Sequence, residues 1–251
     1  MDISPKVRLF VEHPLAAGAP VTLTPEQGHY LRNVMRIDIG ARVAMFNGRD
    51  GEWTGRLTDL GKRGGQATLE RRLREQRPEP DLWLLFAPVK RQRIDTIVEK
   101  AAELGVSQLF PVFTRHTVMT RVNDGRLQAI ATEAAEQCER LSVPPVHPPV
   151  SLEERLTGWP EGRRLVLLDE GGGGRPVAEA LAEIGTGPAA VLVGPEGGFA
   201  KSELDALRRL SFACPVGLGP RILRADTAVI AALSCFQAIC GDWRTTPNAR
   251  S

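Results

Sequence analysis

The sequence predicts an α/β domain preceded by a small all-β domain, and three observations lead there. From about residue 81 onward, almost continuously apolar runs alternate with amphipathic helical stretches, the pattern of parallel strands covered on both faces. Before that point, short β-type runs are separated by strong turn chemistry, with few helical stretches between them. Joining the two is REQRPEPD, Arg74 to Asp81, which is charged, carries two prolines and has no apolar residue before Leu82. The boundaries expected are therefore a first domain over 1–73, a linker over 74–80 and a second domain over 81–251. A chain of 251 residues has the length for two such domains with buried cores.

The β runs of the first part are VRLFVE, ARVAMF, EWTGRLTDL and QATLERRL, and the turns NGRDG and GKRGG lie among them. Short strands with tight turns suggest a small barrel or sandwich. Residues 1–80 carry a net charge of +3, against −1 for 81–251. The basic side chains gather as Arg32 with Arg36, Lys62 with Arg63, and Arg71, Arg72, Arg74 and Arg77. Such clusters are what a polyanion partner needs, although a solvated surface has the same composition.

In the second part the strand candidates are DLWLLFAPV, QLFPVF, RLVLLDE and AAVLVG. Arg93 to Leu104 sets Ile94, Ile97, Val98, Ala101 and Ala102 on one helical face and closes at Gly105. Leu127 to Leu141 repeats the pattern with Ile130, Ala131, Ala134, Ala135 and Cys138, leaving Glu133, Glu136, Gln137 and Arg140 toward solvent or a ligand. Ala225 to Cys240 is apolar but interrupted by Asp226, Thr227, Ser234 and Gln237, and it falls short of the roughly 20 residues that cross a bilayer. It reads as a buried helix. From about Thr227 it is apolar on nearly every side, so a second subunit is a natural cover.

The N-terminal stretch MDISPKVRLFVEH lacks the apolar core and cleavage site of a secretion signal, so a cytoplasmic protein with no membrane partner is expected. Four cysteines form no CxxC pair and four histidines stand singly, so no metal site is expected and the cysteines read as buried thiols.

Three glycine-bearing loops follow apolar strands: LLDEGGGG (Leu167 to Gly174), LVGPEGGFAKSE (Leu192 to Glu203) and VGLGPRIL (Val216 to Leu223). Ligands of α/β sheets gather at the carboxyl ends of strands, so the three could converge on one pocket or simply serve tight turns. A phosphate loop is excluded by count. From Gly194 the sixth residue is Phe199 where the P-loop requires glycine, and the dinucleotide pattern meets Glu196 where it requires glycine. A glutamate within the turn favours a neutral or cationic ligand.

VGPEGGFAKSE followed by LGPRILRADTA resembles the RsmE family of ribosomal RNA (uridine-N3) methyltransferases, in the SPOUT superfamily. RLF, HYLRNVMRIDIG, KRQRIDTIVEKAAELGV and EAAEQCERLSVPPV agree with it in order along nearly the whole chain. The resemblance implies a PUA-like β-barrel for RNA binding, then an α/β SPOUT methyltransferase domain with a C-terminal trefoil knot. It also implies a homodimer that uses S-adenosyl-L-methionine to methylate N3 of a uridine in small-subunit ribosomal RNA, free or in the assembled subunit. One departure is Ala200, where family members often have a serine N-cap.

The resemblance points the cofactor to Gly194, Gly197, Gly198 and Gly219 for close approach, with Leu168, Leu218, Ile222 and Leu223 packing the adenine. Glu170 or Glu196 could meet the ribose hydroxyls or the positive part of the cofactor. Arg224 is the candidate for stabilising charge on the uracil or binding its phosphate, and Arg8 is the second candidate. The proton could pass to Glu133, Asp226 or a water. Because N3 lies on the Watson–Crick edge, the base must be unpaired. Arg8, Arg32, Arg36, Lys62, Arg63, Lys90 and Arg91 are candidates for contact with the RNA. Two other outcomes remain open: a knotted methyltransferase for a ribose 2′-hydroxyl or another base, and a noncatalytic RNA-binding protein of ribosome assembly.

Overall fold

A computed structural model describes Pro5 and residues 7–244, apart from the side chain of Arg91. It divides into two units, Met1–Pro78 with Ala135–Val143, and Glu79–Ala134 with Pro144–Ser251.

In the first unit, strands β1 (Arg8–Phe10), β2 (Pro20–Leu23), β3 (Arg42–Phe46), β4 (Glu52–Gly61) and β5 (Gly64–Arg74) form one sheet in the order β1-β3-β4-β5-β2. All pairs are antiparallel except β1 with β3. GKRGG makes the β4–β5 hairpin. Gly64 there has φ +113°, and a Cβ on it would lie 2.2 Å from the Leu23 carbonyl oxygen, so no other residue fits. Strand β2 was not expected from the sequence; it is four residues opened by a proline, a short exposed–buried alternation, and it lies at the sheet edge. Helix α1 (Pro25–His29) starts from a capping box in which Thr24 accepts from the Gln27 N–H and Gln27 answers the Thr24 N–H. A π-helical turn follows at Tyr30–Val34. Alternate strand residues, among them Leu9, Val21, Leu23, Val43, Met45, Leu57 and Leu69, close over Leu31 as the core.

In the second unit, β6 (Leu82–Phe86), β7 (Gln108–Phe113), β8 (Val150–Ser151), β9 (Arg164–Leu168), β10 (Arg175–Pro176), β11 (Ala189–Val193) and β12 (Ala213–Gly217) are ordered β10-β12-β9-β11-β6-β7-β8. Every pair is parallel. The helices are α2 (Arg91–Glu103), α3 (Asp124–Gln137), α4 (Leu152–Leu156), α5 (Val177–Ile184), α6 (Lys201–Arg208) and α7 (Ala225–Ile239). Leu85, Leu165, Leu167, Ala190 and Leu192 pack with Leu152 of α4 and Leu204 and Leu207 of α6. Helix α7 packs on α2, α5 and β11. Strands buried on both faces explain the unbroken apolar runs, each leucine contributing about 2 kcal/mol of burial.

Helix ends follow local chemistry. Gly105, at φ +78°, lies just past α2, its N–H on Ala102 and the Val106 N–H on Ala101. Helix α3 stops at Gln137, short of the Leu141 expected from periodicity, and Glu139 beyond it is left-handed at φ +64°. Among the described residues, no helix is long and apolar enough to cross a membrane.

The segment 135–143 is held to the first unit by a buried charge cluster. Arg8 Nη1 donates to the carbonyls of Ala135 (3.0 Å) and Glu136 (2.8 Å), and Nη2 donates to that of Arg140 (2.7 Å). Arg8 Nε donates to Glu52, and Arg74 donates to the same carboxylate and to the Glu139 carbonyl. The Glu136 carboxylate in turn accepts the Phe10 N–H at 2.8 Å. A cation on the last carbonyls of a helix complements its negative end. Burial alone would push the Glu52 carboxyl up, but the Arg74 and Arg8 guanidiniums outweigh it and hold the carboxyl below its ordinary value.

A depressed folded pKa adds stability that is present above the unfolded value near 4.5 and is lost as pH falls through the folded value. Glu52→Gln is expected to cost about 3 kcal/mol at pH 7 by leaving Arg8 without its counter-charge. Urea unfolding at pH 7 and pH 3 checks this, with the difference between variant and parent shrinking at the lower pH.

Candidate functional site

Strands β12, β9 and β11 are consecutive in the sheet, so the loops after them leave from one edge side by side. In the second unit they line a single cavity of about 980 Å³. The β9 loop supplies Leu168, Asp169 and Glu170, the β11 loop Val193, Gly194, Pro195 and Glu196, and the β12 loop every residue from Val216 to Arg224. Arg93 of α2 and Ala225 and Ala228 of α7 also line the cavity.

Each glycine has its own reason. Gly219, at φ +93°, has nothing within 4 Å of an added Cβ, so its backbone faces open cavity. A Cβ on Gly174 would meet Val216 and Gly217 backbone at 2.4 and 2.7 Å, which lets the β9 loop close against β12. On Gly194 a Cβ would lie 2.9 Å from the Phe199 ring, so this glycine serves the packing of that ring. Gly197 and Gly198, expected at the ligand, do not line the cavity. They form its outer support: the Gly198 N–H closes a turn on the Pro195 carbonyl at 2.9 Å, and Gly198 takes φ +67°.

The charges sort into paired and unpaired. Asp169 is buried and held by Arg208 through Nε (2.8 Å) and Nη2 (2.9 Å), and it accepts the Gly171 N–H at 2.9 Å. Glu196 lies 3.6 Å from Arg93. Burial, with Asp169 adding to it, pushes the Glu170 carboxyl up against the pull of the nearby Phe199 N–H and of His116. Arg221 and Arg224 are exposed on the cavity wall, and among the described residues neither side chain has a hydrogen-bond or ion-pair partner. Arg224 is the N-cap of α7.

Of the residues expected from sequence, Leu168, Glu170, Gly194, Glu196, Leu218, Gly219, Ile222, Leu223 and Arg224 come together here. Glu133 does not, being exposed on α3 outside the lining. Arg8 does not act as a free cation, since its guanidinium donors are committed to Glu52 and three carbonyls within the first unit. Arg32, Arg36, Lys62 and Arg63 are exposed in the first unit and Lys90 in the second, while the side chain of Arg91 lies outside the described residues. No group of acidic, histidine and cysteine side chains able to hold a metal occurs among the described residues. Of the four cysteines, Cys240 is buried as expected, whereas Cys138, Cys214 and Cys235 are only half-buried; burial pushes the Cys214 and Cys240 thiols up.

Residues 76–237 match the family model of the RNA methyltransferase domain, and residues 23–70 match that of the RNA methyltransferase PUA domain. A ribosomal RNA small subunit methyltransferase E from Synechocystis is 34% identical over 237 residues, covering 92% of this chain and 77% of that relative. The chain belongs to the ribosomal RNA small subunit methyltransferase E family. A Rickettsia conorii protein of that name is 28% identical over 90% of this chain and 93% of its own length. The crystal structure of a ribosomal RNA small subunit methyltransferase E from Neisseria gonorrhoeae, bound to S-adenosyl methionine, superposes with a TM-score of 0.86. It is 27% identical, and the match covers 94% of this chain and 99% of that one.

Within this family member the residues that the sequence did not single out are Arg93, Asp169, His116 and Arg221. Arg93 and Asp169 lie in segments that were read as helix and strand end, and only tertiary pairing gives them a role. Gly194→Ala is expected to cost about 1–3 kcal/mol by forcing the Phe199 ring aside. Gly197→Ala, whose Cβ would meet only the His116 Cβ at 3.7 Å, is expected to be near neutral. Thermal unfolding of the two variants checks the difference.

Proposed function

We propose that the chain transfers the methyl group of S-adenosyl-L-methionine to N3 of a uridine in small-subunit ribosomal RNA. The observation that carries this is the convergence of three loops on one cavity, in a member of this family, with an arginine at its edge that has no partner among the described residues. The residues present suit the cofactor. Leu168, Val193, Leu218 and Ile222 offer an apolar wall for a purine, and open backbone at Gly219 permits close approach to it. When bound, the cofactor supplies an electrophilic methyl group on a sulfonium.

Glu170 is the acid placed to face the positive part of the cofactor or its ribose hydroxyls, because Glu196 is engaged by Arg93 and Asp169 by Arg208. Arg224, fixed by the start of α7, keeps its donors for the charge that spreads over the uracil oxygens once N3 loses its proton. For that proton, Asp226 is better placed than Glu133. It stands two residues from Arg224 on the first turn of α7, and one of its carboxylate oxygens is buried without a hydrogen-bond partner among the described residues. Arg32, Arg36, Lys62, Arg63 and Lys90 would hold backbone phosphates, an attraction that weakens with salt.

The finer architecture belongs to the same reading. A barrel is supported in the first unit by Gln27, whose Nε2 donates to the Phe10 carbonyl at 2.7 Å and so links α1, next to edge strand β2, to edge strand β1. A trefoil knot in the second unit is supported by the insertion of β12 between β10 and β9, followed by the cavity loop and the return of α7 onto α2, α5 and β11. A homodimer is supported by Trp243, 56% exposed beyond α7, and by the half-buried Ile230 and Cys235 on that helix. The cytoplasm is where such a substrate is met.

Small ribosomal subunits incubated with the protein and methyl-labelled cofactor, then digested to nucleosides, test the reading. Label on uridine N3 is expected; label on ribose, or none, contradicts it. Arg224→Ala is expected to lower kcat about 100-fold or more while cofactor binding is kept.

A further inference from the structure

The turn Pro195–Gly198 walls the cavity through Pro195 and Glu196, yet the helix it leads into is poorly anchored. Helix α6 has Ala200 at its N-cap and no side chain there to accept an N–H. The grip comes instead from the loop after β7. The Nδ1 of His116 lies 3.2 Å from both the Gly197 and the Gly198 carbonyl oxygens. Both neighbours are acceptors, so Nδ1 carries the hydrogen and donates to them as a fork. The preceding residue holds the same segment, with Arg115 Nη1 donating to Ser202 Oγ at 2.7 Å and the Arg115 N–H to Glu203 Oε1 at 3.3 Å. From the other side the Glu170 carboxylate lies against Gly198, where an added Cβ would fall 1.6 Å from its Oε1, so the turn is clasped between His116 at its carbonyls and a cavity acid.

We propose that His116 is a positioning residue for the methyl-donor cavity, holding the Gly197 and Gly198 carbonyls so that Gly194, Pro195 and Glu170 keep their place at the ligand. The inference rests on the function proposed above. It assigns His116 no contact with the reacting atoms, since the residue does not line the cavity. Its effect should therefore fall on cofactor affinity and KM, with kcat little changed once the cofactor is saturating. It should also depend on where a replacement places its donor. The side-chain N–H of asparagine sits at the level of Nδ1 and that of glutamine at the level of Nε2, so asparagine can restore the fork and glutamine cannot.

Calorimetry of the full chain with S-adenosylmethionine, together with melting curves, provides the test. His116→Ala is expected to weaken binding about fivefold, the loss of roughly one hydrogen bond, with an unchanged melting temperature. His116→Asn is expected to recover most of the affinity and His116→Gln little. Equal affinity for parent and His116→Ala, or equal recovery by asparagine and glutamine, would overturn the positioning role. Parent protein that binds no S-adenosylmethionine would overturn the functional reading and this inference together.

Discussion

Parallel pairing of β12, β9 and β11 is the constraint on which the site depends. Adjacent strands lie about 5 Å apart, so three loops leaving one edge of three neighbouring parallel strands have to share the same few ångströms of space. Large side chains at Gly174, Gly194 or Gly219 would collide with backbone, displace the Phe199 ring or strain the chain. What these residues leave open is a cavity with apolar walls and few unpaired charges. Arg93 pairs with Glu196 and Arg208 with Asp169, and among the described residues the cavity charges that remain are the acid Glu170 and the cations Arg221 and Arg224. That arrangement offers an acid for a cationic donor and cations for an anionic acceptor.

Rigidity around the cavity is nonlocal. The sequence around Pro195–Gly198 contains little to hold its own shape, since Ala200 gives no cap and glycine permits many conformations. Shape is imposed by Phe199 packed over Gly194, by Glu170 against Gly198, and by the Arg115–His116 pair. The first unit uses the same device in another place, where Arg8 and Arg74 with Glu52 hold the carbonyls that the end of α3 leaves open.

Periodicity and turn chemistry made much of this legible. The apolar runs that became β6, β7, β9 and β11 were continuous because both faces are covered, and three glycine-bearing loops in a row after strands pointed at one pocket. Charge pairing was not legible. Arg8 and Arg224 look alike as isolated arginines, but one is committed to Glu52 and three carbonyls while the other has no partner among the described residues. Glu133 shares its helix period with solvent-facing neighbours, and nothing local could say that α3 turns it away from the cavity. His116 was hidden for the same reason, its partners lying 81 and 82 residues away. Strand β2 was missed because its alternation runs over only four residues and opens on a proline.

The central claim is that the loops after β9, β11 and β12 form one methyl-donor site. A crystal structure of the protein with S-adenosylhomocysteine, the demethylated cofactor, tests it most directly. The account predicts the adenine against Leu168, Leu218 and Ile222, with the ribose or the amino acid end within reach of Glu170. Ligand density elsewhere on the molecule, or an adenine lying outside the wall made by Gly194 and Gly219, would contradict it.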